Sequence, residues 1–161
     1  MSYTTPDICD QYSAELQILE PLFTGFGGKD KFCGEVVTIK CFEDNSMVKK
    51  TLGSVGRGKV LVVDGGGSLR CALLGDLLGA LALQNGWSGL VINGCVRDIE
   101  ILKSINIGVL ALKSYPLKSN KRDEGQVNVP VRFAGVNFLP GGYLYADENG
   151  VVVSRANLNL E

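Results

Sequence analysis

Apolar and polar positions change period several times along the chain, and each change predicts an element. Thr5-Pro6-Asp7 sets a capping hydroxyl before a proline and an acid, the order in which helices commonly start, and Ile8, Tyr12 and Leu16 follow at i, i+4 and i+8. A first helix is predicted there. Glycines at 25, 27 and 28 break the period, and Phe32 to Phe42 then alternates around Val37, Ile39 and Cys41, which predicts a strand rich in β-branched and aromatic side chains. Ser46 is placed to cap a short helix through Thr51, closed by Gly53, Gly56 and Gly58. Lys59 to Val63 is a nearly unbroken apolar run, the pattern of a strand covered on both faces.

Asp76 to Gln84 has a helical stripe of Leu77, Leu78, Leu81 and Ala82, with Asn85-Gly86 as its stop. Gly89 to Ile92 is the next predicted buried strand and Asp98 to Ser104 the next helix. Strand, helix, strand, helix, strand predicts an α/β fold with a parallel central part. The pattern then shifts: Val127 to Phe133, Tyr143 to Ala146 and Val151 to Ser154 predict antiparallel strands, the last two joined through the turn Asp147–Gly150. Between the two parts, Ser114 to Gln126 is charged and nearly without apolar side chains, which predicts a long surface loop, a solvated connection or else a lid or subunit contact.

The length of 161 residues suits one domain, residues 1–161, since single cores commonly span roughly 100 to 200 residues. At 45% apolar residues and a mean hydropathy of +0.15 the chain is expected to fold as a soluble protein. A net charge of −1 is a poor match to a polyanion, so no direct nucleic-acid binding is expected. The richest apolar stretch, Leu73 to Leu83, is interrupted by Asp76 and too short for a bilayer, and no charged leader precedes an apolar segment. The five cysteines are scattered without a CxxC pair, which fits reduced thiols and a cytoplasmic protein. Cys95 is the only one near a candidate site, where it is expected to be a small packed side chain.

The absence of histidine changes the chemistry most. Ser-His-Asp and Cys-His pairs, HExxH zinc helices and imidazole bases are all excluded. Carboxylates, lysines, tyrosines, thiols, backbone amides and bound water remain, and hard oxygen donors favour Mg²⁺, Mn²⁺ or Ca²⁺, with Mg²⁺ or Mn²⁺ the leading expectation. Two segments at the carboxyl ends of predicted strands can carry such chemistry. Gly75-Asp76-Leu77-Leu78 opens a helix whose first amides lack intrahelical partners and can receive a carboxylate. In Gly94-Cys95-Val96-Arg97-Asp98, Arg97 offers a planar fork for a carboxylate and Asp98 an oxygen donor for a cation. The stretch Asp64–Gly67 also offers amides, but it lacks the lysine and spacing of a phosphate loop.

Asp76, twenty intervening residues, then Arg97-Asp98 resembles the Asp-X20-Arg-Asp motif of the class II 4-hydroxy-4-methyl-2-oxoglutarate aldolases and the related RraA-like proteins. Val36–Asn45, Gly58–Ser68 and Tyr143–Val151 are also similar to segments of that family, so the likeness spans nearly the whole chain. It implies a compact α/β/β/α sandwich of the swivelling-domain type, assembled as a homotrimer with sites at subunit interfaces. It implies that Gly75, Asp76, Leu77, Leu78 and Arg97 bind a small 2-keto acid and that Asp98 holds the divalent metal, with Asp76, Arg97 and Asp98 as the catalytic set. The activity implied is cleavage of 4-hydroxy-4-methyl-2-oxoglutarate to pyruvate, accompanied by oxaloacetate decarboxylation. The acid that some family members place three residues after the motif Asp is Ile101 here. The family also contains protein-binding inhibitors of ribonuclease E, which is the alternative function and partner. Asp98 favours the enzyme.

Overall fold

A computed structural model describes residues 2–160. In chain order these form α1 (Thr5–Tyr12), a 3₁₀ turn (Ser13–Glu15), β1 (Leu16–Ile18), β2 (Thr24–Gly25), β3 (Phe32–Lys40), α2 (Ser46–Leu52), β4 (Val60–Asp64), β5 (Ala72–Leu74), α3 (Asp76–Gln84), β6 (Gly89–Val96), α4 (Ile99–Leu102), β7 (Gly108–Ser114), β8 (Gln126–Val127), β9 (Val131–Phe133), β10 (Val136–Phe138), β11 (Tyr143–Asp147) and β12 (Gly150–Ser154). The strands run β1-β12-β11-β3-β4-β6-β7-β2, with β5 beside the end of β6 and β8 beside β3. β3, β4, β6 and β7 are parallel, and β3 also pairs antiparallel with β11. β3 thus joins a parallel part to an antiparallel part, the mixed α/β architecture expected.

Strict alternation along the strands separates the layers. Leu61 and Val63 of β4 and Leu90 and Ile92 of β6 pack with Val48 and Leu52 of α2, Ala82 of α3 and Leu102 of α4. Val60, Val62 and Val91 point the other way, against Leu144 and Ala146 of β11, Val151 and Val153 of β12, and the β9–β10 hairpin. On the far side of β11–β12, Tyr145 and Val152 meet Tyr3 and Ile8 of the α1 segment. The order is helices, parallel sheet, antiparallel sheet, helix. Both sheets are lined on both faces, which is why β4 and β6 read as unbroken apolar runs. Phe32, fully buried, lies between Gly89 and Gly108, directly paired glycines of β6 and β7; a Cβ on either would collide with its ring.

Several boundaries differ from the sequence expectation for identifiable reasons. Thr4, not Thr5, caps α1, its hydroxyl accepting from the Asp7 amide at 3.2 Å, while the Thr5 hydroxyl donates to Asp147 Oδ1 at 2.7 Å. Leu16 leaves the helix to pair with Ser154 on β12. Ser46 is the first residue of α2 rather than its cap, because Asp44 Oδ1 accepts from the Ser46 amide at 2.9 Å. β3 stops at Lys40. β6 continues four residues past Ile92, because β5 and β7 both supply partners for its end. Asp98 is left-handed, which delays α4 to Ile99. The expected strand 127–133 is broken by left-handed Asn128 and by Pro130 into β8, paired with β3, and β9, paired with β10. Among the described residues no helix is long and apolar enough to cross a membrane.

Candidate functional site

The site forms where β5 and β6 end side by side. Arg97 N donates to Leu74 O at 2.9 Å, so the residue after β6 is tied to the residue before Gly75 and the two candidate segments meet. Gly75 holds the capping position of α3 in extended geometry. Glycine is required there by close approach: a Cβ would lie 2.6 Å from Asp98 Oδ2. Asp76, Leu77 and Leu78 supply the first turn; Leu77 is 81% exposed, whereas Leu78 leans on the core beneath the helix.

Asp98 has φ 55° and ψ 40°, a conformation that costs a non-glycine residue about 1 kcal/mol but is best tolerated by Asp and Asn. The turn it makes lets its carbonyl accept from Ile101 and Leu102 at 3.0 and 2.9 Å and brings its carboxylate back over α3, where Oδ2 accepts from the Asp76 amide at 3.2 Å. The Asp76 carboxylate in turn accepts from the Leu77 amide at 2.9 Å. Two carboxylates therefore already sit on the positive end of α3, as the exposed amides and helix dipole there favour.

Arg97 is oriented by Pro116 O, 3.4 Å from its Nη1, and lies 4.0 Å from Asp98 Oδ2 through Nε. With side-chain exposures of 39% for Arg97 and 36% for Asp98, this is a solvent-screened ion pair that contributes little to stability. Most of the guanidinium's donors stay open for an incoming carboxylate. Gly75, Asp76, Leu77, Leu78, Arg97 and Asp98 thus converge on one exposed surface. Pro116 also belongs to it and was not foreseen: it lies in the 114–126 segment, where only its position just past β7 offered a signal.

The donor set bears on a metal. Among the described residues no group of three or more His, Cys, Asp or Glu side chains is arranged to hold an ion. Asp98 and Asp76 are instead a pair of neighbouring hard oxygen donors with open sides. Such a pair suits Mg²⁺ or Mn²⁺, which are bound through one or two carboxylates with water and substrate oxygens completing the shell. The two acids fit that kind of site and do not fit a closed, all-protein cage.

Neighbouring groups are committed elsewhere. In the Asp64–Gly67 turn, Asp64 Oδ1 accepts from Gly66 N and Asn93 Nδ2 at 3.0 and 3.1 Å, and Asn93 O accepts from Gly65 N and Gly67 N, both at 3.1 Å. Its amides are satisfied by Asp64 and by Asn93 of β6, so it is not an anion loop. Cys95 is 1% exposed and its thiol is pushed up by burial, a packed side chain as expected. Cys71 is a second thiol beside the site, since its neighbour Ala72 pairs with Cys95. Burial, with Asp44 and Asp64 nearby, pushes the Cys41 thiol up to about 12. These thiols are poor nucleophiles.

The sequence profile described as "RraA-like: Aldolase/RraA" matches residues 5–153. A protein of Pseudomonas fluorescens named "Putative 4-hydroxy-4-methyl-2-oxoglutarate aldolase" is 59% identical over 98% of this chain and 97% of its own length. Among solved structures, an S-adenosylmethionine:2-dimethylmenaquinone methyltransferase from Geobacillus kaustophilus superposes with a TM-score of 0.95 at 46% identity, covering 97% of both chains. The RNA-processing inhibitor RraA from a Thermus species superposes with a TM-score of 0.94 at 47% identity, covering 97% of this chain and 94% of that one. These relatives carry three different functional names on one fold. The chemistry must therefore be argued from the site.

Proposed function

The chain belongs to the RraA-like family, and from that premise we propose that it is a divalent-metal-dependent carbon–carbon lyase. Its substrate is 4-hydroxy-4-methyl-2-oxoglutarate, cleaved to pyruvate, with oxaloacetate decarboxylation as a second activity. One observation carries the reading: Arg97 and Asp98 leave β6 together against the amide-bearing first turn of α3, with Asp98 Oδ2 3.2 Å from the Asp76 amide and both side chains still open to solvent.

Arg97 grips the substrate's 1-carboxylate through its planar fork, and the amides of residues 75–78 receive the same 2-keto acid end. Asp98, with Asp76 beside it, would hold Mg²⁺ or Mn²⁺. Bound there, such an ion supplies Lewis-acid polarisation of a carbonyl oxygen. In the cleavage the C4 hydroxyl loses its proton and the C3–C4 pair moves onto C3 and the C2 carbonyl. One pyruvate leaves as the C4 fragment, and the other is released when its enolate gains a proton at C3. In this reading water takes the hydroxyl proton, assisted by the Asp76 carboxylate as base. Oxaloacetate loses CO₂ to the same pyruvate enolate, so both reactions need the same grip on the keto acid.

The active assembly is a homotrimer in this reading. It is supported by the exposed Leu77, Ile101 and Leu117 around the site, at 81%, 50% and 59%, which a neighbouring copy would cover. A second reading, a protein-binding regulator of a ribonuclease, is favoured by the 47% identity to the Thermus RNA-processing inhibitor. The experiment that separates them is pyruvate release from both substrates, measured on chelator-stripped protein with and without Mg²⁺ or Mn²⁺ against metal-only controls. Release that depends on protein and metal together is expected. Equal rates for stripped and loaded protein would sink the metal-dependent mechanism.

A further inference from the structure

The charged segment after β7 has almost no apolar side chains to hold it, yet it lies folded against the site. Tyr115 N donates to Val96 O at 2.9 Å, Ala72 N to Leu117 O at 2.7 Å, and Pro116 O receives Arg97. What fixes the rest of the segment is the buried polar turn before α2. Asp44, Asn45 and Ser119 are 1%, 7% and 3% exposed. Asp44 Oδ2 accepts from the amides of Arg122 and Glu124 at 2.8 and 3.2 Å, while Oδ1 is anchored on Ser46. Asn45 N donates to Ser119 Oγ at 3.2 Å, and Ser119 Oγ donates back to Asn45 Oδ1 at 2.9 Å. Asn45 Nδ2 then reaches Leu73 O on β5 at 3.0 Å, two residues before Gly75.

We infer that Asp44 and Asn45 are positioning residues for the site. They clamp residues 115–124, so that the Pro116 carbonyl is presented to Arg97, and they tie that clamp to β5, which carries the first turn of α3. A buried carboxylate and amide with their hydrogen-bonding groups directed to main-chain and hydroxyl partners are costly to place unless all partners are present, so the clamp has one well-defined arrangement. Arg97 acts on substrate; the hold on residues 115–124, made by Asp44 and by the Asn45–Ser119 pair, acts through it. The inference rests on Arg97 being the carboxylate clamp.

Ser119→Ala and Asp44→Asn test it in the full-length protein. Limited trypsin digestion reads the segment directly, because Lys118, Lys121 and Arg122 are exposed. Cleavage there is expected to speed up on the order of tenfold as the clamp opens locally. KM for oxaloacetate and for 4-hydroxy-4-methyl-2-oxoglutarate rises about tenfold, the scale of one lost orienting hydrogen bond, with kcat within about twofold. In an Arg97→Lys background Ser119→Ala adds no further rise, the non-additivity of residues acting as one unit. A folded Ser119→Ala protein with wild-type cleavage or wild-type KM overturns the inference, as does a full additional KM effect in the Arg97→Lys background. If Asp44→Asn does not fold, Ser119→Ala decides. A wild-type protein that turns over neither substrate defeats the lyase reading instead, and the cleavage rates then decide the clamp alone.

Discussion

Asp147, the last residue of β11, and Asp98, two residues past β6, both lie at strand ends, one in each half of the molecule, and are used differently. Each reaches across the chain to the N-terminus of a helix. In the antiparallel half, Asp147 accepts from the Thr5 amide and hydroxyl, both at 2.7 Å, and from the Asn149 amide at 2.8 Å, and is only 8% exposed. In the parallel half, Asp98 accepts one long bond from the Asp76 amide at 3.2 Å, and its side chain stays 36% exposed beside Arg97. A saturated, buried acid locks two elements together. An under-satisfied, exposed one at the carboxyl edge of a parallel sheet keeps lone pairs open where α/β folds commonly place ligands.

The comparison breaks most visibly at Arg97. Arg97→Lys keeps the charge but loses the two parallel hydrogen bonds of the fork, so kcat/KM for pyruvate release is expected to fall about 100-fold, roughly 3 kcal/mol, with unchanged urea unfolding. Wild-type kinetics in that variant would show that a point charge suffices. A smaller effect of the opposite kind is expected at Asp147. Asp147→Asn leaves kcat per folded molecule unchanged and lowers stability by about 2 kcal/mol at pH 7. Burial pushes this carboxyl up, but its bonds from Thr5 and Asn149 prevail and hold it below the usual range. The charged form is therefore favoured by folding, and its contribution is complete above about pH 4 and declines as pH falls through the native value. Urea melts at pH 7 and pH 3 check this: the gap between wild type and variant narrows at the lower pH, and a constant gap contradicts it.

What was legible in the chain follows from range. The Val60–Val63 run and the Tyr143–Ser154 hairpin are encoded by local period and turn chemistry, and both are observed. β5 and β7 were hidden, the first because Ala72–Leu74 merges into the helical leucines of α3, the second because the apolar run Gly108–Leu112 has a single β-branched residue, Val109, and runs straight into the charged segment. Arg97 and Asp98 stood out as adjacent residue types with a motif spacing. Asp44 could not: its partners Arg122 and Glu124 lie 78 and 80 residues away, and nothing local distinguishes a buried carboxylate from a surface one. Burial and hydrogen bonds pull on Asp44 in opposite directions, and the bonds from Ser46, Arg122 and Glu124 win, holding it at about 2. That balance exists only after folding.

Asp98→Asn tests the central claim most directly, because asparagine tolerates the left-handed backbone and nearly preserves the shape while removing the charge a divalent cation needs. Mn²⁺ affinity by titration calorimetry and pyruvate release from 4-hydroxy-4-methyl-2-oxoglutarate should be measured on the same preparations, with light scattering to check the assembly. The expected result is loss of metal binding and a fall in turnover on the order of 1,000-fold or more, with mass and melting behaviour unchanged. A variant that binds Mn²⁺ and releases pyruvate like the wild type contradicts the site as described.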